Sequence, residues 1–472
     1  MRGSAMVLPS PGSAETHAPP RREVLRLAWP IGVSMTSLTL KGFVDMAMIG
    51  RLGVDELGGA GLAAVCTWSA LTFPWGVLRG QRPLVAQYVG AKRRAMAFSF
   101  GIHAFHLAVL AGLALLLAAP ALGRLMTAFA GATDLPTHGV VVAGDYFRTR
   151  MQWALPLLVT TAVAEYLRSL GRTRLPMAVD LLVHPVNVFF NWVLVFGHFG
   201  VPALGARGAA LGTGIADTIG LLLILSLARQ DGGPNLVRVL AAARLRLSRL
   251  ARVVSVGLTG GVQFALESVA FVFITWLVGH TGEVALAVHQ AGIQIVHLSL
   301  LPAVAVADAG SILIGRAVGR GDLAAARRSL RAVLEIVTPF MAAMGVLFLL
   351  RGRALAGIFL HAPDPAVHEA ALALAAGVMA AAALWQIGDA FQVTFRFALR
   401  ATGDHQWVMW TGILCAWLLS LPLASWVVFG LDGDVTDVWL VWAAEIFAGS
   451  AVFVWRWRSG AWQRKGLVRR AA

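Results

Sequence analysis

Apolar runs of about 20 residues, the length a helix needs to cross a hydrocarbon core, recur along the whole chain with short polar stretches between them. Twelve spans are predicted, at residues 25–49, 57–78, 97–119, 147–167, 175–197, 208–228, 253–279, 284–314, 332–350, 370–395, 406–430 and 437–456. The segment before them, MRGSAMVLPSPGSAETHAPPRRE, is rich in Pro, Ser and Ala and lacks the apolar core of a signal peptide. Residues 1–24 are therefore expected to be a disordered tail.

Basic residues mark alternate loops, as they do where loops remain in the cytoplasm. One set carries Arg79, Arg82, Lys92, Arg93 and Arg94, then Arg168, Arg172 and Arg174, then Arg316, Arg320, Arg327, Arg328 and Arg331, then Arg396 and Arg400. The other set is poor in bases and holds Asp55, Glu56, Asp134, Glu283, Asp364, Glu369 and Asp437. Both termini are expected in the cytoplasm of a multi-pass protein of the inner (plasma) membrane, with a basic linker at 229–252 and a basic tail at 457–472.

Composition agrees with this pattern. Apolar residues make up 58% of the chain and charged residues 13%, with a mean hydropathy of +0.73, outside the range of a soluble domain. The loop bases account for most of the +15 net charge, so nucleic-acid binding is not needed to explain it. Cys66 and Cys415 both lie in predicted spans and suggest no disulfide. No phosphate loop, nucleophile set or metal-spaced histidine set is present, so no enzyme activity, cofactor or structural metal is expected.

The chain repeats itself weakly. A shift of 229 residues lays GRLGVDELGGAGLA, from Gly50, over GHTGEVALAVHQAG, from Gly279, and carries LVAQYVGAKRRA, from Leu84, over LIGRAVGRGDLA, from Leu313. A shift of 232 lays LRSLGRTRLPM over LRATGDHQWVM. Each copy holds an even number of spans, so the two halves, 25–228 and 253–456, enter the membrane in the same sense and are related by an axis along the membrane normal. That arrangement is a transporter layout: an all-α polytopic protein of two six-helix lobes.

Ionisable groups within spans are costly and commonly face a cavity. The stretch VDLLVHPVNVFFNWVLVFG sets Asp180, Asn187 and Asn191 on one helix face at spacings of seven and four. Glu267 follows Gln263 by four, Asp389 is flanked three residues away by Gln386 and Gln392, and Asp45 and Asp308 lie in the first and eighth spans. Glu165 and Glu445 read as interfacial. Trp68, Trp75 and Trp385 are candidate cavity walls. In KGFVDMAMIGRLG, Lys41 and Asp45 stand four apart, so the ammonium is expected to reach the carboxylate.

VDMAMIGRLG, PLVAQYVGAKRR, NVFFNWVLVFGHFGVPALGARGAALGT and GDAFQVTFRFALRATGD, in this order, resemble the multidrug and toxic compound extrusion family, closest to its NorM-like branch. The resemblance covers about residues 25 to 455. It implies two six-helix lobes around a central cavity, and an antiporter, working as a monomer, that exports organic cations or drugs in exchange for sodium ions or protons. Carried over by position, Asp45, Asn187, Asn191, Glu267 and Asp389 are the ion-coupling and substrate-binding set, with transient sodium at Glu267 and Asp389. Lys41 and Asp308 depart from the family pattern and, with Asp180 and Gln263, are expected to modulate that set. The competing reading within the superfamily is a flippase for a lipid-linked precursor, which requires a site for an anionic headgroup.

Overall fold

The computed structural model describes residues 20–230, 245–361 and 363–468. The first lobe consists of α1 (Pro20–Gly50), α2 (Val54–Arg79), α3 (Gln81–Gly90), α4 (Arg94–Ala130), α5 (Thr137–Gln152), α6 (Ala154–Ser169), α7 (Arg174–Phe196) and α8 (Gly205–Gln230). The second consists of α9 (Leu247–His280), α10 (Glu283–Arg320), α11 (Leu323–Gly357), α12 (Pro365–Thr402), α13 (His405–Leu414), α14 (Leu421–Gly430) and α15 (Val435–Arg458). A π-helical turn, Cys415–Ser420, joins α13 to α14 within one rod.

Ten helical segments among the described residues are long and apolar enough to cross a membrane. The remaining two expected spans fall on α1, whose apolar run is interrupted by Lys41 and Asp45, and on α5–α6. That pair breaks at Trp153, and α5 carries Asp145, Arg148 and Arg150. Two expected boundaries shift. Helix α1 begins at Pro20, inside the stretch read as tail, and α9 begins at Leu247, inside the stretch read as linker. The rest of the expected N-terminal tail (1–19), residues 231–244 of the linker and residues 469–472 of the C-terminal tail lie outside the described residues.

The sequence repeat is carried into the backbone. Gly53 and Gly282, equivalent under the 229 shift, precede α2 and α10 with φ of 126° and 122°. Both values lie in a region that favours glycine. Lys92 and Gly321, also equivalent, both have positive φ, 59° and 81°.

Contacts between the lobes obey the same relation. A Cβ on Gly90 would fall on the carbonyl of Arg316, and a Cβ on Gly319 would fall on the carbonyl of Gln87. Gln87 and Arg316 are themselves 229 apart, so this is one contact made twice across a pseudo-two-fold axis. Gly32 against Ala305 and Gly261 against Gly76 form a second such pair. Small residues of this kind let helix backbones approach closely inside lipid.

These contacts join the lobes at the end of the bundle that carries the basic loops. There the first half of α1 packs on α10–α12 of the other lobe through Val24, Leu27, Ala28 and Ile31. The start of α9 packs reciprocally on α3 and α4, with Val253 and Val256 against Leu84, Tyr88 and Phe100. Gln87 Nε2 donates to the Ala401 carbonyl at 2.8 Å, and its Oε1 accepts from the Leu467 amide at 2.7 Å.

Candidate functional site

Each lobe holds one polar cluster. In the first lobe α1 supplies Asp45, α7 supplies Asn187 and Asn191, and α8 supplies Thr213. Asn191 Nδ2 donates to Asp45 Oδ1 at 2.5 Å and Thr213 Oγ lies 3.1 Å from Asp45 Oδ2, while Asn187 Nδ2 donates to Thr213 Oγ at 3.1 Å. Asn187 and Asn191 are wholly buried and Asp45 nearly so. The stripe on α7 is thus closed into a network by α1 and α8. Gly212 makes room for it, since a Cβ there would strike Asn191 Oδ1.

Lys41 corrects the sequence expectation. Its Nζ pairs with Asp217 Oδ1 at 2.8 Å, not with Asp45. Arg150 Nη1 of α5 stands 3.6 Å from the other oxygen of Asp217. Helices α1 and α8 run antiparallel here, so Asp45 meets Thr213 and Lys41 meets Asp217 one turn away. Asp180 also leaves the expected stripe and pairs with Arg168 Nη2 of α6 at 3.6 Å. Sequence reasoning marked Asp217 only as an ionisable group of the sixth span and gave no site role to Thr213 or Arg150; the usable signal was that 213 and 217 repeat the spacing of 41 and 45.

In the second lobe Glu267 Oε1 accepts from Gln263 Nε2 at 2.8 Å and its Oε2 from Arg396 Nη1 at 3.1 Å. Gln263 Oε1 in turn accepts from Arg400 Nη2 at 2.6 Å. A Cβ on Gly412 of α13 would collide with both Gln263 and Glu267. Asp389 lies deeper in the lobe, and its Oδ2 is buried without a hydrogen-bond partner among the described residues. Glu445 of α15, expected at an interface, is buried in this lobe. Trp385 packs in the lobe core and edges Trp442 at 6.1 Å, so it is not a cavity wall.

Between the lobes lies a cavity of about 1170 Å³, its open mouth included. Trp68, Trp75 and Phe264 form an apolar wall, and Trp68 meets Trp75 edge-on at 5.0 Å. The charged lining consists of Arg79, Arg82, Arg396, Arg400 and Glu267, with His405 beside them. All four arginines were expected in loops. Helices α2, α3 and α12 instead bring them to the cavity.

Arg82 bridges the lobes: it is hydrogen-bonded to Glu165 of α6 and, through Nη1, to Asp308 of α10. Glu165 and Asp308 are each only 1% exposed, so Glu165 is a buried partner of Arg82 and not an interfacial residue.

The family model described as MatE matches residues 30–193 and 261–426, one match in each lobe. The chain belongs to the MatE family. Among its relatives, the multidrug resistance protein NorM of Burkholderia vietnamiensis is 27% identical over 95% of each chain. The probable multidrug resistance protein NorM of Pseudomonas aeruginosa is 30% identical over 89% of this chain and 85% of its own. These relatives place the chain in the NorM branch. A solved MOP superfamily transporter from Pyrococcus furiosus superposes with a TM-score of 0.83 at 19% identity, covering 94% of this chain and 97% of its own. The two-lobed polytopic fold is therefore that of this transporter family.

Proposed function

We propose that this MatE protein is an ion-coupled antiporter that exports amphipathic drug-like molecules, with sodium ions or protons entering in exchange. The observation that carries the reading is a pair of lipid-depth carboxylates, Asp45 and Asp389, one in each lobe, neither joined to a cationic side chain by an ion pair among the described residues. Such groups in a membrane are retained for ion or substrate passage. The drug-resistance names of the NorM relatives support it.

Glu267, expected to share the coupling ion with Asp389, is neutralised by Arg396. The coupling step is therefore assigned to Asp389 and Asp45. With the basic end facing the cytoplasm, the contacts of Gly90, Gly319 and Arg82 close that side, and the lobes must separate there for substrate to enter. Binding of the coupling ion and of substrate are linked through that rearrangement.

Purified protein in liposomes, tested with imposed sodium and proton gradients separately, decides the matter. Gradient-driven drug movement that is lost in Asp389→Asn is expected. No movement under either gradient, with insertion verified, overturns the reading. The cavity arginines also favour a second reading, a flippase for a lipid-linked precursor, which needs a site for an anionic headgroup. In the Pyrococcus furiosus transporter the binding pocket has reversed polarity, suggesting a different function there.

A further inference from the structure

Arginine charge exceeds carboxylate charge on the inter-lobe cavity. Of the four guanidinium groups there, Arg396 is matched by Glu267 and Arg82 by Glu165 and Asp308. Arg400 gives its Nη2 hydrogen to a neutral amide, Gln263 Oε1 at 2.6 Å. Arg79 stands 3.9 Å from Glu165, whose oxygens already accept from Arg82 and from Arg168. Arg400 faces the like charges of Arg396 and Arg79 across the space.

A guanidinium stays charged at any physiological pH and presents a planar fork suited to carboxylate or phosphate oxygens. Arginines that share or lack a carboxylate are costly to hold on a cavity wall. They lie beside a roomy, open cavity whose other wall is aromatic. That combination of acid-binding forks and a flat apolar wall fits a molecule with one acidic end and one apolar end.

We propose that the inter-lobe cavity binds an amphipathic organic anion, its phosphate, sulfonate or carboxylate head between Arg79 and Arg400 and its apolar body against Trp68, Trp75 and Phe264. The proposal rests on the exporter reading and names its substrate class, in place of the organic cation implied by the family resemblance. The same acidic head is present on soluble drugs and on phospholipids.

The test uses the full chain in phosphatidylcholine nanodiscs, titrated with 1-naphthyl phosphate, neutral 1-naphthol and the cation tetraphenylphosphonium. The phosphate is expected to bind about tenfold or more tightly than naphthol, and Arg79→Gln or Arg400→Gln should each weaken it about tenfold while leaving naphthol unchanged. Melting temperatures of the variants confirm that they remain folded. If either is misfolded, the wild-type comparison of phosphate with cation decides.

Preferential binding of tetraphenylphosphonium, or phosphate binding indifferent to both substitutions, overturns the proposal. Displacement of the bound probe by dioctanoyl phosphatidic acid but not by dioctanoyl phosphatidylcholine identifies a lipid headgroup as the occupant. Binding without displacement identifies a soluble anion. If the phosphate binds but neither gradient moves any probe in liposomes, the exporter reading fails and the anion site stands. If the cation is transported and the phosphate does not bind, the anion site fails alone.

Discussion

Lys41 Nζ lies 2.8 Å from Asp217 Oδ1, 176 residues away in the chain, and both side chains are almost fully withdrawn from solvent. The pair lies one helical turn from the Asp45–Thr213 contact on the same two antiparallel helices. Position 41 therefore holds a cation without occupying the Asp45 carboxylate.

Stranding either member of this pair should destabilise the protein. Asp217→Asn leaves the Lys41 ammonium buried beside Arg150 without its carboxylate, a change that costs about 3–5 kcal/mol for a buried pair, whereas removing both charges is closer to neutral. Thermal unfolding in detergent is expected to show a large loss for Asp217→Asn and recovery of part of it in Lys41→Met/Asp217→Asn, which still leaves Arg150 without its carboxylate. A double variant as unstable as the single one would show that the pair is not the source of the loss.

Asp45→Asn should behave differently. The new amide keeps the volume and one oxygen acceptor, and Lys41 keeps its partner, so folded yield should remain near wild type while gradient-driven transport falls. Size-exclusion profiles and proteoliposome flux measured on the same preparations check this. Normal flux would remove Asp45 from the coupling role.

Asp389→Asn is expected to reach the membrane in normal amount and to lose most transport, because the substitution removes charge at a carboxylate whose Oδ2 has no hydrogen-bond partner to lose. Glu267→Gln should be the less stable of the two variants, since it deprives Arg396 of its ion-pair partner. Melting curves of the two proteins in the same detergent test the order.

The bridge through Arg82 predicts a lobe-to-lobe effect. Arg82→Met strands Asp308, while Glu165 keeps Arg168, and should lower stability by about 3–5 kcal/mol. Adding Asp308→Asn should restore most of that stability. If the bridge also holds the basic end shut, a cysteine placed at Ala401 should react faster with a membrane-impermeant maleimide in the restored double variant than in wild type.

Gly90 and Gly319 make equivalent contacts with carbonyls of the opposite lobe. Alanine at either position should force the backbones apart, at about 1–3 kcal/mol for an overpacked contact, and the two losses should be similar in size. Unequal losses measured by denaturation would mean that the pseudo-symmetry of the backbone does not extend to its energetics.

The sequence by itself determined where the chain becomes apolar for a membrane's width and that its two halves are copies. These properties are local: a span follows from hydropathy over some twenty residues, and a repeat from identity at a fixed shift. The equivalence of Gly53 with Gly282 was legible in this way, as was the stripe of Asn187 and Asn191. Partner choice was not. Spacing four along α1 brings Lys41 and Asp45 to one face, but α8 offers both of them better-placed partners, and only helix packing decides that competition. The arginines show the same division. Loop charge statistics locate Arg79, Arg82, Arg396 and Arg400 near one end of the bundle without saying which way each side chain turns. The meeting of the two lobes turns them inward onto one cavity, and so sets a local charge that no single helix encodes.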